Sequence, residues 1–134
     1  MKATDLMIRD WVYNTHNRQN EQVAEIGSGL VMLAYNDLYE FDEIEPIPLT
    51  KEILEKNEFK KSNFLHVDGQ YQWMWWENTF ISVTLWCREL NNDTKDGMML
   101  KIEAPTITLC IKVNYVHELQ HALRLCGIEK EIEL

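Results

Sequence analysis

The sequence predicts an α+β fold. A small, strongly bent β-sheet of the SH3-like barrel kind comes first, then a short helix, an antiparallel β-meander and a C-terminal helix packed on it. Three observations carry this. Short apolar runs bounded by Gly, Asn and Asp recur through the first 48 residues, the pattern of a compact all-β segment. Pro46 and Pro48, two apart, remove two backbone donors and force extended geometry, so a sheet should end there. Beyond them, strand pairs lie between two segments that carry helix signals. The 134 residues then divide into a β-rich subdomain, residues 1–48, and an α+β subdomain, residues 49–134, unless the two form one compact domain.

Taken in order, Leu6 to Tyr13 is apolar and aromatic enough for a first strand, and Asn14 to Asn20 is polar enough for a loop. Val23 to Ile26 reads as a second strand, Gly27-Ser28-Gly29 as a turn, Leu30 to Tyr35 as a third strand and Tyr39 to Ile44 as a short fourth. Thr50 is placed to cap a helix over Lys51 to Asn57, with Leu49 and Leu54 as its hydrophobic staple. Phe59 and Phe64 lead into paired strands at Gln70 to Trp76 and Phe80 to Cys87. A polar loop, Asn91 to Gly97, ends in an Asp-Gly turn signal, and Met98 to Glu103 and Thr106 to Val113 form a second pair. Ile107, Leu109, Ile111 and Val113 alternate with Thr106, Thr108, Cys110 and Lys112, as in a sheet with one buried face. Asn114 should cap a helix from Tyr115 to Cys126 that Gly127 stops, with Val116, Leu119, Ala122, Leu123 and Cys126 on its packed stripe. The tail Ile128 to Leu134 alternates apolar and acidic residues and is a candidate edge strand.

Composition excludes several function classes. Thirteen basic residues against 22 acidic ones give a net charge of −9. That argues against direct nucleic-acid binding and against an anionic membrane surface, because both need Lys and Arg in excess. No stretch has the length and apolarity of a membrane span, and Asp5, Arg9 and Asp10 interrupt the N-terminal segment where a secretory signal would be apolar. Cys87, Cys110 and Cys126 are odd in number and form no C-x-x-C pair. They read as reduced thiols of a cytoplasmic protein, with no zinc knuckle and no redox motif.

One string carries recognisable chemistry. His117-Glu118-Leu119-Gln120-His121 is a literal H-E-x-x-H on a predicted helix, where histidines at i and i+4 can share a zinc ion and the Glu can activate its water. A zinc-dependent hydrolase using His117, His121 and Glu118 is therefore the enzymatic alternative. Four features oppose it. A helical wheel puts both histidines opposite the Leu119 stripe, facing solvent. Arg124 lies one turn on, where a cation repels a metal. The longer metzincin pattern would need Gly at 124 and His at 127, where this chain has Arg124 and Gly127. The downstream carboxylates, Glu129, Glu131 and Glu133, sit on the tail, leaving Glu103 or His66 as upstream third ligands. The reading adopted is no metal, no cofactor and no catalytic residue.

Two further clusters invite a binding role. Tyr71, Trp73, Trp75, Trp76, Phe80 and Trp86 put six aromatics between residues 71 and 86, with Tyr71, Trp73 and Trp75 on one strand face and Trp76 on the other. The default is a core filled by large rings; the alternative makes Trp73, Trp75 and Trp76 a partner surface able to stack a base, a sugar or a Pro-rich peptide. Asp37, Glu40, Asp42, Glu43 and Glu45 crowd five acids into nine positions without an EF-hand pattern. A solvated edge is the default reading, and nucleic-acid mimicry the functional one.

Three segments carry a resemblance. Leu6-Met7-Ile8-Arg9-Asp10-Trp11-Val12 is similar to L-x-I-G-[ND]-W-V. Pro46 to Thr50, continuing through Ile53-Leu54 and Asn57-Glu58-Phe59, resembles P-I-P-L-T-x-E-I-L-x-x-N-G-F, and Tyr115 to Gln120 resembles a C-terminal Y-V-H-x-L-Q followed by Asn. Together they resemble a family of small proteins carried by prophages and other mobile elements of gut bacteria. The departures are Arg9 and Glu58 in place of glycines and His121 in place of Asn. The resemblance implies a bacterial, phage-related accessory protein with a protein partner and brings no catalytic residue with it.

Overall fold

The computed structural model describes residues 1–62, 70–88 and 97–134; of residues 70, 71, 87 and 88 it describes the backbone alone. Phe64, His66 and the polar loop from Asn91 lie outside the described residues, as does the side chain of Tyr71. The chain divides into two compact units, Met1–Pro48 and Leu49–Leu134.

In the first unit a 3-10 turn, Ala3–Asp5, precedes β1 (Trp11–Asn14), β2 (Gln19–Ile26), β3 (Leu30–Leu33), β4 (Leu38–Glu40) and β5 (Ile44–Pro46). They form one antiparallel sheet of order β4-β3-β2-β1-β5. The expected barrel does not close. β4 and β5, which would have to join, are three residues each, and Pro46 has no N–H to donate. The first strand starts later than the apolar run suggests. Asp10 accepts the Met7 N–H at 2.7 Å and Arg9 takes φ 73°, so residues 7–10 turn instead of extending. Leu6, Val12, Val23, Val31, Leu33, Tyr39 and Ile44 form the core. The loop expected over Asn14 to Asn20 is shorter: Asn14 ends β1 and β2 already begins at Gln19, because side chains of these polar residues fix the β1–β2 turn. Buried Glu21 accepts from Asn14 Nδ2 at 3.0 Å and from Asn17 Nδ2, while Asn14 Oδ1 accepts the His16 N–H at 2.9 Å.

The second unit holds α1 (Lys51–Lys56), β6 (Lys60–Lys61), β7 (Gln70–Asn78), β8 (Ile81–Arg88), β9 (Met98–Glu103), β10 (Thr108–Val113) and α2 (Val116–Leu125). Its five strands form an antiparallel meander, β10-β9-β8-β7-β6. Register rows run Trp73–Leu85–Leu100–Ile111 and Trp75–Val83–Ile102–Leu109 on one face. Trp73, Val83, Leu85, Met98, Leu100, Ile102 and Val113 on that face are buried, and α2 lies against β10.

Both helices begin and end as their chemistry requires. Thr50 Oγ1 accepts the Ile53 N–H at 3.4 Å, capping α1. Asn114 is not the cap of α2. Tyr115 holds that position, and Asn114 donates its N–H to the Glu118 carboxylate. Each helix then closes with a Schellman pair: Phe59 N to Leu54 O (3.0 Å) with Glu58 N to Glu55 O (3.1 Å), and Ile128 N to Leu123 O (2.9 Å) with Gly127 N to Arg124 O (3.0 Å). The motif needs a left-handed residue. Gly127 supplies it in α2 at φ 72°, whereas α1 must use Glu58 at φ 67°. Left-handed backbone costs a non-glycine residue about 1–2 kcal/mol, against about 0.5–1 kcal/mol of extra unfolded-state entropy for glycine. Glu58→Gly and Arg9→Gly are each expected to stabilise the protein by about 0.5–1 kcal/mol in urea titrations, whereas Gly at an ordinary exposed strand position destabilises.

The tail is not an edge strand. It folds back along α2, held by two buried amides. Gln120 Nε2 donates to Lys130 O at 2.9 Å and its Oε1 accepts the Ile132 N–H at 2.7 Å. Asn57 Nδ2 donates to Glu133 O and its Oδ1 accepts the Glu133 N–H, both at 2.8 Å. Each amide thus supplies the donor–acceptor pair that a neighbouring strand would have supplied, and Ile128 and Ile132 are buried alongside.

Candidate functional site

The H-E-x-x-H segment forms the first two turns of α2, but its side chains serve the fold. Glu118 Oε2 accepts the N–H groups of Asn114 and Tyr115 at 2.6 and 3.2 Å. The carboxylate that a zinc hydrolase would aim at a metal-bound water is spent on the helix N-terminus. Contrary to the expectation of a solvent-facing pair, His117 is 5% exposed and His121 half-buried. His117 stacks on Tyr115 (centroids 5.8 Å apart) and meets the edge of His121 (5.6 Å). The helical wheel assigned α2 one packed face, whereas the returning tail gives it a second through Gln120 and the 3.2 Å Arg124–Glu131 pair. Among the described residues, no three His, Cys, Asp or Glu side chains are grouped as metal ligands. Glu118→Ala is therefore expected to cost about 0.5–2 kcal/mol of stability, the range for a lost cap, in a urea titration, and zinc should not alter that cost.

The tryptophans separate by strand face. Trp73, offered above as part of a partner surface, is core: it is 2% exposed in the row with Leu85 and Leu100. Trp75 is half-buried on the same face, with Phe59 at 6.5 Å and the Lys130 ammonium 4.9 Å from its ring centroid. Trp76 points the other way and is 52% exposed.

That outward face has a composition of its own. Its rows are Trp76–Ser82–Glu103–Thr108, Lys60–Met74–Thr84–Lys101–Cys110 and Gln72–Trp86–Met99–Lys112. Met99 is 44% exposed, Trp86 and Met74 are half-buried, and Phe80 at the β7–β8 turn is exposed. Among the described side chains of these rows, three lysines share the face with one acid, Glu103, which pairs with Lys101 at 2.6 Å. A chain of net charge −9 thus presents one face that is aromatic, methionine-bearing and basic. Sequence reasoning missed Met74 and Met99 here, and it counted Trp86 in the aromatic cluster without placing it on this face. The signal was present in β9, where Met98, Leu100 and Ile102 alternate with Met99, Lys101 and Glu103, but register was needed to bring the strands together.

Two other places lack convergent chemistry. In the first unit, an open groove of about 270 Å³ along Glu25, Gly27 to Leu30, Met32 and Leu38 has a single charged group in its lining. The acidic run from Asp37 to Glu45 is mostly exposed, and half-buried Glu43 accepts the Glu40 N–H at 2.8 Å. No helix is long and apolar enough to cross a membrane among the described residues. No protein-family model, curated protein or solved structure matches the chain.

Proposed function

We propose that this chain is a non-enzymatic, cytoplasmic accessory protein of a phage or mobile element that acts by binding a protein partner through the outward face of its second sheet. The observation that carries the reading is the exposure of Trp76 and Met99 beside Trp86 and Met74 on one face. Aromatic residues and Met are enriched where protein interfaces form, and a large ring left in water is compensated when a partner covers it. The mobile-element origin rests on the resemblance of the three segments, whose glycine positions suit this backbone. The resembled segments have glycine where this chain has Arg9 and Glu58, and both residues have positive φ. A pattern glycine there has a conformational reason.

The test is affinity capture from bacterial lysate with wild-type protein and a Trp76→Ser/Met99→Ser variant of matched stability. A specific partner retained by the wild type and lost by the variant is expected. A partner held equally by both, or none above background, would overturn the reading.

A second reading, single-stranded nucleic acid stacked on Trp76, draws on Lys60, Lys101 and Lys112 on the same face. It requires fluorescence anisotropy with labelled single strands to show binding that weakens steeply with salt. The net charge of −9 works against it.

A further inference from the structure

Among the described residues the two sheets have four edge strands, and three are blunted. β4 and β5 are three residues long, β5 ending in Pro46, and β6 is the pair Lys60–Lys61. Short strands, Pro and Lys are the usual protections against edge-to-edge pairing. β10 has little of this protection. It is six residues long, contains no Pro, carries one charge, and pairs with β9 in unbroken register.

Its free hydrogen-bonding groups can be assigned. Ala104 N donates to Ile107 O (2.9 Å) and Ile107 N to Ala104 O (3.4 Å), so 104 and 107 form a hydrogen-bonded pair at the start of the ladder. Such pairs alternate along antiparallel strands. Leu109, Ile111 and Val113 therefore bond to β9, whereas Thr108, Cys110 and Lys112 aim N–H and C=O at the open side. The next residue of the outward series confirms the parity: Asn114 O accepts the Leu49 N–H at 2.9 Å. Among the described residues the edge is thus covered at Asn114 and open from Thr108 to Lys112, which are both exposed along with Cys110.

We propose that this edge pairs with the same edge of a second copy, around a two-fold axis at Cys110. In that register Thr108 faces Lys112 of the second copy, Cys110 faces Cys110, and Lys112 faces Thr108. All three outward residues of each strand exchange hydrogen bonds, and no lysine opposes a lysine. Leu109 falls against the second copy's Ile111 in the closer, non-hydrogen-bonded pairs. These two side chains sit on the buried face of the sheet, yet Leu109 is half-buried and Ile111 is 36% exposed. The same pairing covers both. Moving the axis one residue toward the C-terminus would need Asn114 O, which Leu49 already occupies. A self-complementary strand favours a second copy over an unrelated extended peptide.

The test is sedimentation velocity of purified protein across the micromolar range, for wild type and Cys110→Pro. The proline deletes an outward N–H that β9 does not use, so the fold should survive it. The wild type should double its mass from 15.9 kDa with concentration, and Cys110→Pro should stay monomeric. A monomeric wild type, or a variant that dimerises equally well, overturns the proposal. If Cys110→Pro unfolds, cross-linking decides, in a chain with Cys87→Ser and Cys126→Ser. Two Cys110 thiols lose their hydrogens to diamide, which becomes the hydrazine, and one S–S bond forms between copies. The Cα separation of about 5.5 Å at such a pair lies within disulfide reach. Rapid dimer at Cys110, and little in a Cys110→Ser/Ile111→Cys chain, is expected; the reverse order, or no cross-linking, overturns the register.

Discussion

A chain ending at Gly127 is expected to lose most of the stability of its α+β unit. Ile128 and Ile132 are about as buried as any core residue, at 1% and 2% exposure. Removing them forfeits about 1.5–3 kcal/mol each by burial alone, against a typical total of about 5–15 kcal/mol for a whole domain. The amide clamps can be separated from this apolar contribution. Gln120→Leu keeps the tail but strands the Lys130 carbonyl and the Ile132 N–H, which should cost about 1–3 kcal/mol for each group that water cannot reach. Asn57→Leu should act similarly through Glu133. Because both clamps hold one segment, the double variant should lose less than the sum of the singles. Urea titrations followed by far-UV circular dichroism measure all three. Full additivity would mean that the tail is not held as one unit.

The second large effect contrasts two tryptophans three residues apart. Trp73→Ala is expected to cost about 3–5 kcal/mol, the range for emptying a large aromatic site in a core. Trp76→Ala should stay within about 0.5 kcal/mol of wild type, as exposed substitutions usually do. Emission spectra give an independent check, since loss of Trp76 should remove red-shifted intensity and leave the blue component of Trp73 in place. Equal destabilisation by the two substitutions would mean that the outward face is covered within the chain, and the partner-binding reading would lose its surface.

Much of the fold was legible because its signals are local. Met98 to Glu103 alternates cleanly and is a strand over those residues; Thr50 caps α1 and Gly127 ends α2 because capping needs only neighbours in sequence. Barrel closure was not legible. It depends on strand lengths and on which edges meet, and the Tyr39 to Ile44 segment resolves into two strands too short to join. The histidine face was misread for a related reason. Periodicity identifies the stripe facing the sheet, but a second packed face arises from a tail whose contacts run through Gln120 and Asn57, polar residues that no hydrophobic pattern marks. Among the tryptophans, alternation separated Trp76 from Trp73 correctly, but only the register rows show which neighbours each face carries.

Glu118 caps α2 and His117 packs between Tyr115 and His121; we propose that His117, Glu118 and His121 bind no metal. This is tested most directly by elemental analysis of protein purified without a histidine tag, with thermal unfolding repeated in excess zinc. The expected result is substoichiometric zinc and an unchanged Tm in both wild type and His121→Ala, because a ligand that does not bind the native state cannot stabilise it. One zinc per chain, with a rise in Tm that His121→Ala abolishes, would contradict the account.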